Sequence, residues 1–344
     1  MRNRTSALAL AVVLMVLAIW DFATVKARQA PPPRLVNTVT LPGYSGDFDH
    51  FAVDRVRHRI LLAAEDHATL EVFDLDTGKH LRSVTGFDTP HSILVRKASP
   101  TILVTDSGKS MSKLLDADTY AKRATVTLMP GADSSAYDAA ENILYIVTGG
   151  KDVGMATSEL AAVNPDTGEK LRSVSFNDNH VEAMALEKQG DRLFINLAQT
   201  NQIAVVERKM MKIVATWKVS PAQQNAMVAF DEPRHRLFVV CRKPGMVVVM
   251  NSDTGVVTNA LPAPLRADDA MYDSGLRRLY VPGGEGFMSI YDTSDPDHLL
   301  LVSRVTTAEG AKTGLLLSDM KKLVLAASPG DTKAVAKVLT YQLP

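Results

Sequence analysis

The chain has 344 residues, 46% hydrophobic and 22% charged, the balance of a soluble globular protein with an ordinary surface. Lysine plus arginine equals aspartate plus glutamate at 38 each, so the basic footprint of a nucleic-acid binder is missing. Cys241 is the single cysteine, which excludes an internal disulfide, and without a Cys-x-x-Cys-His motif covalent c-type haem is excluded too.

Arg2 and Arg4 precede an apolar run from Ala7 to Trp20, and small and polar residues follow. This is the pattern of a secretory signal, with Val25-Lys26-Ala27 as the favoured cleavage site over residues 1–27. The run is short for a membrane span, although an uncleaved N-terminal anchor is the alternative. The expected location is therefore periplasmic or secreted. Residues 28–33, with Pro31-Pro32-Pro33, read as a spacer.

Leu35 to Leu41 alternates as a strand. After it, one phrase recurs seven times, beginning at Arg59, Thr101, Asn142, Arg192, Arg236, Arg278 and Lys322 (for example Arg236-Leu237-Phe238-Val239). Copies begin 41 to 50 residues apart, a period that signals blades or arrays. In the first complete repeat, Phe51–Asp54, Ile60–Ala64, Leu70–Asp74 and Leu81–Val84 read as four short strands. Asp76-Thr77-Gly78 is the turn before the last of them. That turn returns at Asp166-Thr167-Gly168 and Asp253-Thr254-Gly255, and the longest interval is explained by a loop over residues 150–158. The last repeat supplies only three strands. Pairing Leu35–Leu41 with it would complete a seventh sheet and remove the open edge. The expectation for residues 34–344 is a single all-β, seven-bladed propeller of four-stranded antiparallel blades, monomeric and without long helices.

The phrases Ile102–Thr105 (ILVT), Leu144–Gly150 (LYIVTGG) and Val72–Gly78 (VFDLDTG) resemble the YVTN-repeat family of bacterial seven-bladed β-propellers. The resemblance spans residues 34 to 344. It implies an exported propeller but no particular activity, because such folds host binding modules, scaffolds and enzymes alike.

Aligning the seven copies brings unusual positions into register. Just ahead of each first strand stand Asp49, His91, Asp133, Glu182, Ala226, Asp268 and Lys312, followed by His50, Ser92, Ser134, Ala183, Met227, Asp269 and Thr313. The first strand of a blade lines the channel, so these residues are expected to form two polar rings at one mouth. Glu65, Asp66, Asp106, Arg242 and Glu285, at the ends of second strands, belong to the same face. The turns at 55–58 and 233–235 fall on the opposite face and read as solvated. Clustered like charges are costly without a cation or hydrogen bonds, although a hydrated channel mouth would also tolerate them.

The expected ligand-binding set is Asp49, His50, His91, Asp133, Glu182, Asp268, Asp269 and Lys312, receiving a cation, a small molecule or a protein partner. Oxygen ligands suit calcium or magnesium, and an added histidine suits zinc or manganese; the carboxylates for such a metal would be Asp49, Asp133, Glu182 and Asp268. The alternative is a metal-dependent lactonase-like hydrolase. Propeller lactonases hold a divalent metal on the axis with carboxylates, and the chain is similar in that respect; His50 or His91 would then carry the proton. His180 lies two residues outside the ring. Ser107-Gly108-Lys109-Ser110 matches the end of a phosphate-binding loop but lacks the preceding glycine, where Leu103 stands. Cys241, at the end of an apolar strand, reads as a buried structural thiol.

Overall fold

The computed structural model describes residues 31–344, apart from residues 98, 110, 331 and 333. The secretory signal expected over residues 1–27 lies outside the described residues, as do residues 28–30 of the spacer. Seven four-stranded antiparallel sheets are present, six of them built from four consecutive strands. They form a seven-bladed β-propeller. Blade one runs through Phe51–Asp54, Arg59–Ala64, Thr69–Asp74 and His80–Val84 from the channel outward. The inner strands of blades two to six are Pro90–Val95, Ser135–Asp138, Val181–Leu186, Gln223–Asp231 and Met271–Asp273. Blade seven contains Ala311–Leu317, Lys322–Ala327 and Ala336–Gln342, and Arg34–Leu41 pairs antiparallel with the last of these to close the ring. Helix among the described residues is limited to three single 3₁₀ turns, Lys151–Val153, Glu232–Arg234 and Ser318–Met320. No helix among them is long and apolar enough to cross a membrane.

The recurring phrase is continuously apolar because both faces of its strand are covered. In blade one, Leu61 and Ala63 pack toward blade two, while Ile60, Leu62 and Ala64 pack toward blade seven. In blade five, Leu237 and Val239 face blade four, and Phe238 and Val240 face blade six. A side-chain period of two distributes alternate residues to opposite seams. The seven apolar clusters among the described residues each occupy one seam between neighbouring blades. Cys241 is fully buried in one of them, and burial pushes its thiol up to about 12.

The Asp-Thr-Gly turns close through the residue two places before the aspartate. Asp74 accepts from the Thr77 amide at 2.7 Å and its hydroxyl at 2.6 Å, and Asn251 accepts from the amides of Asp253 and Thr254 at 2.9 and 3.0 Å. At Gly255, φ is +71° and a Cβ would stand 2.2 Å from Cγ of Trp217 in blade four, so glycine is required for both conformation and space.

The rim opposite the polar rings carries more than solvated turns. Basic residues of one blade reach the outer turn of the next. Arg59 donates to the Ala117 carbonyl at 2.7 Å. Arg192 donates to the Ser252 carbonyl and to Asp253, both at 2.8 Å. Arg236 forms a two-pronged pair with Asp297 at 2.7 and 2.6 Å, and Lys322 closes the circle on the Asp76 carbonyl at 3.1 Å. Such forked pairs fix geometry as well as adding attraction. The basic residue that opens several copies of the repeat is thus a clasp between blades.

Candidate functional site

The inner strands are irregular at the expected ring positions. Register shifts fall between Pro90 and Ile93, Val181 and Met184, Asn225 and Met227, and Ala311 and Thr313. Blades one and three extend the ladder more loosely: the Asp49 and Asp133 amides bond the carbonyls of Ala63 and Val147 at 2.9 and 3.0 Å. Bulges re-aim side chains without breaking a sheet. Here they accompany the side chains that line the channel mouth.

A cavity of about 930 Å³ opens at that mouth. Asp49, His91, Asp133, Glu182, Asp268 and Lys312 all line it, together with His50, Ser134 and Met227 of the second ring; Ala226 does not. A second cavity of about 330 Å³ lies against His50, Ser92, Ser134, Ala183, Met227 and Asp269. His50, Ser134 and Met227 border both spaces. Thr313 is buried and lines neither. The mouth cavity extends to one side, under blades two to four, where Leu128, Met129 and Pro130 supply an apolar wall.

The ring divides electrostatically into two parts. On the side of blades four to seven, the carboxylates have partners. Arg242 bridges Glu182 at 3.2 Å and Asp268 at 2.5 Å, His180 meets Glu182 at 2.6 Å, and Lys312 sits 2.9 Å from Asp47 and 3.0 Å from Asp268. Burial works against ionisation of Glu182, but His180 and Arg242 hold its carboxyl below the usual range. Burial likewise opposes the Lys312 charge, yet Asp268 and Asp47 keep it well above the usual lysine range.

Around blades one to three, negative charge is in excess. His91 Nδ1 lies 2.7 Å from Asp49 and 3.7 Å from Asp133, its Nε2 lies 2.9 Å from the Ser107 hydroxyl, and His50 stands 3.5 Å from Asp49. Burial disfavours every charge here. Against it, the neighbouring histidines hold Asp49 down to about 2, while carboxylates keep His50 and His91 up at about 9 and about 10. Burial, reinforced by like charges, pushes Asp133 up to about 6, Glu65 up to about 7 and Asp269 of the deeper cavity up to about 7.

Among the described residues, two sets of three bring potential metal-binding atoms within 4.8 Å of one another: Asp49, Glu65 and His91, and Asp49, His50 and Asp133. Glu182 and Asp268 belong to neither set and are committed to Arg242, Lys312 and His180 instead. Of the four carboxylates expected for a metal, Asp49 and Asp133 stand together in the second set.

Other acidic residues of this face serve the backbone. Asp106 accepts from the amides of Asp88, Thr89 and Gly108, Glu285 from those of Leu265 and Arg266, and Asp66 from that of Asp47. Sequence reasoning set aside His180 and Ser107, and both line the mouth cavity. Register could not flag them, since they flank the aligned positions. The extra loop of blade three also lines it through Gly150 to Val153. No protein-family model matches the chain, and no curated protein matches it either.

Proposed function

We propose that the chain is an exported binding propeller whose mouth cavity receives a small organic ligand, with a cationic group of that ligand placed among Asp49, Glu65 and Asp133. The resemblance to YVTN-repeat propellers supports export. The observation that carries the binding reading is the excess negative charge of this corner. Burial first, and neighbouring carboxylates after it, hold Glu65 and Asp133 above the usual carboxyl range even with His91 beside them, and an added cation favours their charged forms. A cavity of about 930 Å³ with one apolar wall has the dimensions of an organic-ligand site.

A second reading draws on the donor sets around Asp49: a divalent cation bound there would support lactonase-like hydrolysis by activating water. Thermal unfolding of the full chain with organic amines, and separately with calcium, magnesium, manganese or zinc chloride, tests both. Stabilisation by amines that disappears in Asp133→Asn supports the first. Stoichiometric metal after dialysis, lost in Asp49→Asn, supports the second. Responses to both probes that are identical in wild type and in the double variant would leave neither standing.

A further inference from the structure

One polar chain in the mouth cavity runs Asp49, His91, Ser107. Asp49 Oδ2 lies 2.7 Å from His91 Nδ1, and His91 Nε2 lies 2.9 Å from Ser107 Oγ. All three residues line the 930 Å³ space. A carboxylate on one ring nitrogen and a hydroxyl on the other is the arrangement that activates a serine, and it is recognised by geometry rather than by fold or chain position.

The serine also sits on a fixed base. Asp106, just before it, accepts the Asp88, Thr89 and Gly108 amides, each at 3.0 Å, and the Ser107 amide donates to the Thr89 carbonyl at 3.0 Å. Gly108 approaches blade two's own loop so closely that a Cβ would stand 2.3 Å from Cβ of Asp88. A nucleophile held by its neighbours in this way meets the requirement of a preorganised site.

We propose that Asp49, His91 and Ser107 form a nucleophilic triad, and that the cavity hydrolyses small carboxylic esters or lactones by acyl transfer through Ser107. The proposal rests on the reading that the cavity admits an organic ligand. Ser107 Oγ attacks the carbonyl carbon as its proton passes to His91 Nε2. The tetrahedral intermediate collapses, the ester C–O bond breaks, and the leaving alkoxide takes the proton from His91. Water then attacks the acyl-serine with His91 again accepting the proton, which returns to Ser107 as the carboxylic acid departs. The amides of Ser107 and Gly108 are already committed, so the oxyanion would draw on a cation of the cavity wall, where Lys109 stands two residues on from the serine and Lys151 lines the same space. Leu128, Met129 and Pro130 accommodate the apolar part of the substrate.

His91 faces Asp49, Asp133 and Glu65 on its carboxylate side and Ser107 on the other. The full chain is treated with a fluorophosphonate at pH 7, 8 and 9, and the adduct is mapped by mass spectrometry. The expected result is a single adduct on Ser107. The adduct is lost in Ser107→Ala, and the rate falls at least about a hundredfold in His91→Gln. Asp49 is a positioning residue, and Asp49→Asn is expected to lower the labelling rate at least about tenfold while Asp49→Glu restores most of it. An unchanged labelling rate in Asp49→Asn removes that role.

Ser107→Cys gives an independent measurement, because Cys241 is fully buried and contributes little background. Its alkylation by iodoacetamide is expected to be about tenfold faster than in the same chain carrying His91→Gln. Equal rates, or no adduct on Ser107 at any of the three pH values in folded wild type, overturn the proposal. If phenyl acetate raises the unfolding temperature of Ser107→Ala while wild type stays unlabelled, acyl transfer fails and ligand binding stands. Labelling of Ser107 with no stabilisation by any amine gives the reverse outcome.

Discussion

Replacing Glu65 with glutamine is expected to stabilise the protein above neutral pH and to leave it almost unchanged in acid. Burial raises this carboxyl from 4.5 to about 7, with Asp49, Asp66 and Asp133 adding to the effect and His91 opposing it. The folded state therefore retains a proton that the unfolded chain has released. The associated stability is fully present below about pH 4.5 and is lost as pH rises through about 7. A shift of this size corresponds to about 3 kcal/mol as an upper bound. Glutamine preserves the shape and does not ionise, so the variant escapes the loss. In calorimetric or fluorescence melts the two proteins are expected to coincide near pH 4.5, and the variant to unfold roughly 5 °C higher at pH 8.5. A gap of equal size at both pH values, or a variant less stable at pH 8.5, would refute the claim that burial and crowded negative charge oppose ionisation of this corner.

Three further outcomes test the packing. Phe238→Ala opens the seam between blades five and six and is expected to cost about 3 to 5 kcal/mol, read as a lower denaturant midpoint. Gly255→Ala, which puts a methyl against Trp217 at positive φ, is expected to destabilise by at least twice as much as Gly154→Ala. Gly154 has φ +72° but open space around it, so its substitution carries only the backbone cost of about 1 kcal/mol. Native protein is expected to leave Cys241 unreacted with an aromatic disulfide reagent and to release one thiol in guanidinium; rapid reaction without denaturant would contradict its burial.

The ring architecture was legible because the repeat records a local requirement seven times over. Strands such as Leu237 to Val240 need apolar residues at every position when both faces meet another blade, and turns such as Asp253-Thr254-Gly255 need glycine where φ is positive. The ring of polar residues was legible from the same register. Its electrostatics were not. Whether Glu182 stands bare or paired depends on Arg242 and His180, which approach from different strands, and no periodicity records that meeting. Likewise, Ser107 became meaningful only when blade one delivered Asp49 and blade two delivered His91 to the same corner. The phosphate-loop likeness that drew attention to it is incidental: a strand precedes it, and a strand rather than a helix follows at Ser112–Asp116.

Arg34 lies opposite Gln342 in the closing sheet, and this has a bearing on chain connectivity. Every blade meets two neighbours in an equivalent way, so no blade is intrinsically first. A short link from residue 344 to residue 34 with new ends opened in the turn at residues 188–191, far along the chain from the closing sheet, would give a circular permutant with the same ring. Order along the polypeptide and order around the axis are thus separable, and the position of the closing strand is one choice among seven.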